Sequence, residues 1–230
     1  YANFQELITV KQITYSTQNN NSIDFTKQFF LNYGFNEIVT NSIYDVEKST
    51  KQSVKIKNPL NKELAVLRTS LIPNLLTTFE ENLKSNNNNQ QFFEIGRTFK
   101  IFEQKIIEQE KLGGIFNFRI TGKNLNADTH WFFVKGFLQN YLEHYMYKNL
   151  TFTSINKTLT YYNPTRSTII KDNGLVLGSF GELHPAIITS FDFKENNIFG
   201  LEIFLKNIPK LNKKIRAYKE KYVVSDYQKS

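Results

Sequence analysis

The sequence predicts an α+β domain, an antiparallel sheet with helices on one face, and three observations carry that expectation. Residues 93–101 alternate Phe93, Ile95, Phe99 and Ile101 with Glu94, Gly96, Thr98 and Lys100, the period-two pattern of a strand. Asn173-Gly174 separates two apolar runs. That dipeptide is a strong hairpin signal because both turn positions need positive φ. Most neighbouring strand candidates are joined as hairpins or antiparallel returns, with helical segments inserted between them, which favours α+β over an alternating parallel fold.

The elements follow in order. Residues 1–21 read as a linker from a preceding region, with Gln18-Asn19-Asn20-Asn21 polar and unpatterned. Ser22 offers an N-cap, Ile23, Phe25, Phe29, Phe30 and Tyr33 recur at near-helical spacing, and Gly34 stands where a helix C′ residue is wanted. A first helix is expected over 22–33. Strands are expected over 35–44 and 53–58, the latter alternating Val54 and Ile56 with Lys55 and Lys57. Asn58-Pro59 marks a turn. Ser70 caps a second helix that tolerates Pro73 in its first turn, with Leu71, Leu75, Phe79 and Leu83 as its stripe. An Asn-rich loop covers 85–90. The strand over 93–101 is expected to return over 111–120. A third helix over 130–147, capped by Asp128 or Thr129, buries Val134, Leu138, Tyr141, Leu142 and Tyr145. After it come strands at 167–171, 175–180 and 198–205, with Pro209 as the exit. A core domain over 22–209 then gives way to a basic linker over 210–230, leading toward a further domain.

Composition narrows the function classes. With hydrophobic residues at 40% and aromatics at 15%, the chain can build a packed core. No run approaches about 18 consecutive apolar residues, the length of a membrane-spanning helix, and no targeting segment is visible. The sequence has no cysteine, which excludes disulfides and thiolate zinc sites. His130, His144 and His184 are far apart and lack a carboxylate-rich ligand pattern. The net charge of +8 suits a polyanionic partner. Lysine nevertheless outnumbers arginine heavily, and Lys, Asn, Ile, Phe and Tyr all use A/T-rich codons, so genome composition is an equal reading. There is no phosphate loop, since Gly122-Lys123 lacks the upstream glycine and Gly113-Gly114 reads as a strand bend. No nucleophile elbow or triad is present.

Four blocks carry a resemblance. They are Leu67-Arg68-Thr69-Ser70-Leu71-Ile72-Pro73, Phe92-Phe93-Glu94-Ile95-Gly96-Arg97-Thr98-Phe99, Pro164-Thr165-Arg166-Ser167 and Gly178-Ser179-Phe180-Gly181-Glu182-Leu183-His184-Pro185. In this order, over roughly residues 22–206, the chain resembles the core of the bacterial and plastid-type phenylalanyl-tRNA synthetase β subunit. The resemblance implies a class II aminoacyl-tRNA synthetase-like fold, an antiparallel sheet flanked by helices. Catalytic members of that fold hold ATP with two arginines, one in a strand-loop-strand motif and one at a glycine-rich final helix. Fixed bidentate cations suit a developing pentavalent phosphate. Here the first region is 96–118. Past Arg97 it offers Lys100, which keeps charge but cannot form the fork, then Ile101 and Phe102. The final motif, near Phe199-Gly200-Leu201-Glu202-Ile203-Phe204-Leu205, has one glycine and no arginine before Arg216.

The resemblance therefore implies a non-catalytic module with no catalytic residue and no bound cofactor or metal. ATP and Mg²⁺ belong to the complete α2β2 ligase, in which a catalytic α subunit charges tRNA(Phe). It leaves structural roles for Arg68, Glu94, Arg97, Arg166, Glu182 and His184. Alternation puts Arg97 on the apolar side with Phe93, Ile95 and Phe99, where a buried guanidinium needs a partner. Glu182 is the better candidate, because Glu94 points to the other strand face. Arg68 is expected to orient the start of the second helix, and His184 to hydrogen-bond in a turn. The resemblance makes the first helix the expected subunit interface, while the residues alone allow equally that it is buried in the chain's own core. Phe29 and Phe30 are adjacent, about 100° apart, so with Phe25 and Tyr33 they span more arc than one sheet contact needs. The other readings are a free-standing regulatory or tRNA-binding module of the same descent and an active ligase, and the missing arginine pair counts against the latter. The A/T-rich codon choice suits a plastid stroma or the cytoplasm of an A/T-rich bacterium.

Overall fold

The computed structural model describes residues 21–44, 51–61, 64–85, 90–117, 127–155, 161–191, 193 and 197–209. Of the linker expected over 1–21 only Asn21 is described, and it begins α1 rather than ending a linker; the rest, and the linker expected over 210–230, lie outside the described residues. Helix α1 (Asn21–Asn32) ends as predicted. Gly34 has φ +84°, its N–H donates to Leu31 O at 2.9 Å, and Phe35 N–H donates to Phe30 O at 3.1 Å. This is the paired closure of a left-handed C-terminal cap. The strands expected over 35–44 and 53–58 shrink to the two-residue pieces β1 (Asn36–Glu37), β2 (Ile43–Tyr44) and β3 (Val54–Lys55). With β4 (Val66–Leu67), the latter two form a small sheet in the order β2-β4-β3. Helix α2 (Ile72–Lys84) carries its proline in the first turn.

Strands β5 (Gln91–Phe102) and β6 (Lys105–Phe116) form a long hairpin. The return begins six residues earlier than the expected 111, and Asn117, past the last strand residue Phe116, is not in a strand. The turn is Glu103-Gln104, both at positive φ (47° and 62°). Such a turn is usually announced by Asn-Gly, and Glu-Gln gives no such signal. Helix α3 (Ala127–Glu143) starts and ends earlier than expected, and Met146 at φ +67° marks the turn that follows. Its expected buried side is buried throughout. Strands β7 (Leu150–Ser154), β8 (Tyr162–Asp172) and β9 (Leu175–Leu183) follow. Asn173 (φ 47°) and Gly174 (φ 85°) form the predicted β8–β9 turn. A short helix α4 (Pro185–Ser190) and strand β10 (Phe199–Phe204) complete the order.

The main sheet has seven strands in the order β1-β5-β6-β10-β9-β8-β7. Every pairing is antiparallel except β1 with β5. Helices cover both faces, where the sequence reading placed them on one. On one face, α1 and α3 meet Phe93, Leu112, Phe116, Phe180, Phe199 and Leu201 in a single cluster. On the other, α2 and α4 meet Phe92, Ile115 and Leu183. The adjacent pairs Phe92/Phe93 and Ile115/Phe116 are the sequence trace of this two-sided burial.

Candidate functional site

The site is built on the α2 face of the sheet. The strand register aligns Glu94 (β5), Gly113 (β6), Glu202 (β10) and Ser179 (β9) in one row across four strands. The start of α2 sits on this row. A Cβ at Gly113 would lie 2.7 Å from Leu71 Cβ, so glycine is what allows the helix to approach. The two glutamates flank it and hold it from either side.

On one side Arg68, 2% exposed, pairs with Glu94, 1% exposed, at 2.8 Å. Arg68 Nε donates to Arg97 O at 2.9 Å and its Nη1 to Thr40 Oγ1 at 2.9 Å. Thr40 Oγ1 donates in turn to Glu94 Oε2 at 2.6 Å. A Cβ on Gly96 would press against Arg68 Nη2 and sit 2.8 Å from Glu94 Oε1, so that position is also committed to the clamp. On the other side Glu202 Oε1 accepts from Leu71 N–H at 2.7 Å and from Ser70 Oγ at 3.0 Å. Glu202 thus satisfies a first-turn donor of α2 from 131 residues away. Its Oε2 pairs with Lys111 at 3.2 Å, and Lys111 also donates to Thr69 O at 3.3 Å. Ser70, expected as the N-cap, instead accepts from Ile72 N–H at 3.2 Å, and Leu71 occupies the cap position.

Beyond this anchor the face opens into a cavity of about 550 Å³. Lys51, Lys100, Lys111, Tyr161, Ser179 and Glu202 line it. Burial, with Tyr44 and Glu202 nearby, pushes the Tyr161 phenol up. Burial does the same for Tyr162, with Glu202 adding to it and a hydrogen bond to Ser179 opposing it. Both phenols stay protonated. No arginine lines the cavity among the described residues.

The remaining predicted residues lie elsewhere. Arg97 is a correction. It is solvent-exposed and pairs with Glu108 at 2.9 Å across the hairpin. Phe93 and Ile95 lie under α1 and α3, but the strand runs out from beneath the helices before Arg97, so the same strand face turns wet. Glu182 is not its partner either. Glu182 lies on β9, three strands from β5, roughly 14 Å at the usual strand spacing. Its partner is Arg166 on adjacent β8, at 3.5 Å, and Arg166 also reaches Asp128 at 3.2 Å. Burial raises the Glu182 carboxyl above its ordinary value, against the pull of Arg166 and His130. His184 caps α4, its Nδ1 accepting from Ala186 N–H at 3.1 Å.

The aromatic arc of α1 is covered from two directions within the chain. Phe30 is fully buried against Phe93 of β5 and against Phe137 and Tyr141 of α3. Phe29, 7% exposed, meets Phe137, Tyr141 and His144. These two are core residues, and α3 is the second neighbour that the single-contact argument omitted. Phe25 is half-buried on His144 and Tyr145. Tyr33 is at the surface, its ring against Phe29 and Phe137 and its hydroxyl accepting from Asn140 Nδ2 at 3.0 Å. Sequence reasoning missed Lys111, Tyr161, Tyr162 and the anchoring role of Glu202, because only the strand register brings them together.

Comparison with known proteins agrees with this architecture. The family described as the phenylalanyl tRNA synthetase beta chain CLM domain matches residues 6–205. The phenylalanine–tRNA ligase beta subunit of Rickettsia prowazekii is 29% identical over 92% of this chain and 27% of its own length. That of Fusobacterium nucleatum is 30% identical over 84% and 25%. The chloroplastic beta subunit of Porphyra purpurea is 30% identical over 89% and 29%. The chain thus spans less than a third of the length of these relatives. Among solved structures, a pyrrolysyl tRNA synthetase from Desulfitobacterium hafniense shares the fold with TM-score 0.63, at 16% identity over 81% of this chain and 66% of that one. The sheet, its flanking helices and the family match agree, and the chain belongs to the family of phenylalanyl-tRNA synthetase β-chain CLM domains.

Proposed function

We propose that this chain is the non-catalytic, class II-like core of a phenylalanine–tRNA ligase β subunit, which supports ATP-dependent charging of tRNA(Phe) by a catalytic α subunit in an α2β2 assembly. The observation that carries the reading is the sheet-face cavity, which keeps its strands but presents lysines, with no arginine among the described residues, where bidentate cations would be needed. Its residues also do not fit Mg²⁺ with a nucleotide. Glu202, the carboxylate on its wall, has both oxygens engaged by Leu71, Ser70 and Lys111. No group of three or more His, Asp or Glu residues stands together among the described residues. Burial raises both Tyr161 and Tyr162, which disfavours either phenolate as a base.

In this reading the chain contributes a folded platform for the α subunit, and any tRNA contact comes through the complex. Tyr33, at the C-terminal end of α1, is exposed and is the residue of the expected interface that is offered to a partner. Chloroplastic and bacterial relatives both exist, and the A/T-rich composition favours a plastid stroma, with a bacterial cytoplasm as the alternative. Sedimentation of the chain with a catalytic α subunit of this ligase type tests the reading. A joint complex, weakened by Tyr33→Asp while circular dichroism stays unchanged, is expected. Independent sedimentation of the two chains at high concentration would contradict it.

A further inference from the structure

The cavity beside α2 has a charge pattern that its structural anchor does not use up. Lys111 and Glu202 neutralise one another and are tied to the α2 start. Lys100 and Lys51 also line the cavity, and among the described residues neither has an ion-pair or hydrogen-bond partner. They come from different segments, brought together by the backbone bond from Ile101 N–H to Gln52 O at 2.7 Å. The lining thus carries two positive charges that no described residue compensates. Ile72, Tyr161 and Phe204 add apolar and aromatic lining to the same cavity, and Ser179 adds a hydroxyl. A volume of about 550 Å³ falls in the range of small-molecule sites, concave and apolar with a few polar groups that orient the ligand.

We propose that this cavity is a binding site for a small phosphomonoester, its dianionic phosphate held by Lys51 and Lys100 and its organic part seated on Ile72, Tyr161 and Phe204. Two uncompensated cations match a dianion better than the single charge of a carboxylate. Lysines act as point charges and need no bidentate geometry, so the loss of an arginine fork does not prevent phosphate binding. No covalent step is involved. The inference does not depend on the ligase reading, because an isolated chain that never meets an α subunit would still carry the site.

Titration calorimetry of the 230-residue chain with phenyl phosphate tests it, with inorganic phosphate and benzoate as comparison ligands at matched ionic strength. Saturable 1:1 binding of phenyl phosphate is expected, with inorganic phosphate and benzoate each weaker. Removing both cations in the K51Q/K100Q double variant should weaken phenyl phosphate by about tenfold or more, each single variant giving part of that loss. Lys148→Gln, an exposed lysine after α3, should change nothing, and circular dichroism checks that each variant is folded. The proposal is overturned by absence of saturable binding, by equal affinity in the folded double variant, or by benzoate or inorganic phosphate binding as tightly as phenyl phosphate.

Discussion

Two ion pairs meet on strand β5, three residues apart within one sequence block, and they differ in almost every physical respect. Arg68–Glu94 is nearly inaccessible to water and joined by Thr40 into a closed network. Arg97–Glu108 has side chains 67% and 49% exposed. The first fixes where α2 begins relative to the sheet. The second decorates a hairpin. What separates them is the cover provided by the next layer. Glu94 lies beneath the start of α2, whereas Arg97 projects from a part of the strand that no described helix covers. Membership of a recognisable sequence block therefore says little about a residue's energetic weight until the packing is known.

Glu94→Ala should separate the two pairs most strongly. It leaves the buried Arg68 charge without its carboxylate, and loss of one partner from a buried pair costs about 3–5 kcal/mol. A denaturant midpoint within error of wild type would mean that water reaches Arg68 and that the pair is not truly buried. Next in size is Asn173→Val in the β8–β9 turn. A β-branched residue resists the observed φ of 47°, and the strain should cost about 1–3 kcal/mol. An unchanged midpoint would show that the turn relaxes to another geometry.

The Arg166–Glu182 pair lies between the two β5 pairs in burial, and its effect is read from pH. The Glu182 carboxyl is raised above its ordinary value in the folded chain. A raised acid binds its proton more tightly when folded. Its contribution to stability is therefore full below the ordinary carboxylate range and fades as pH rises through the raised value. Glu182→Gln should flatten that fall in stability toward neutral pH, measured as the denaturant midpoint across the pH series. A steeper dependence in the variant would reverse the assigned sign. The smallest effect belongs to Arg97→Ala, at under about 1 kcal/mol for an exposed pair, again from the midpoint.

The same contrast explains how far the sequence could be read. Features set by local chemistry came through. Gly34 closed α1 and Asn173-Gly174 turned β8 into β9, because positive φ selects those residues. The 3.6-residue period marked the buried side of α3. Features set by strand register did not. Glu202 reaches Leu71 only because β10 lies beside β6. Arg166 rather than Arg97 finds Glu182 because β8, not β5, neighbours β9. The Glu103-Gln104 turn was invisible since neither residue favours positive φ. Phe29 and Phe30 looked like interface residues until α3 supplied the second surface. The fold class and the retained sequence blocks were thus readable, while the cavity was not, since its walls come from segments as far apart as Lys51 and Phe204.

The proposed function has this core keep a synthetase fold without amino-acid activation. Phenylalanine-dependent ATP–pyrophosphate exchange measures that chemistry directly. The chain, in a preparation shown to contain no α subunit, should give exchange at background. Exchange above background that rises with the concentration of the chain would contradict the claim and return the cavity to the status of an active site.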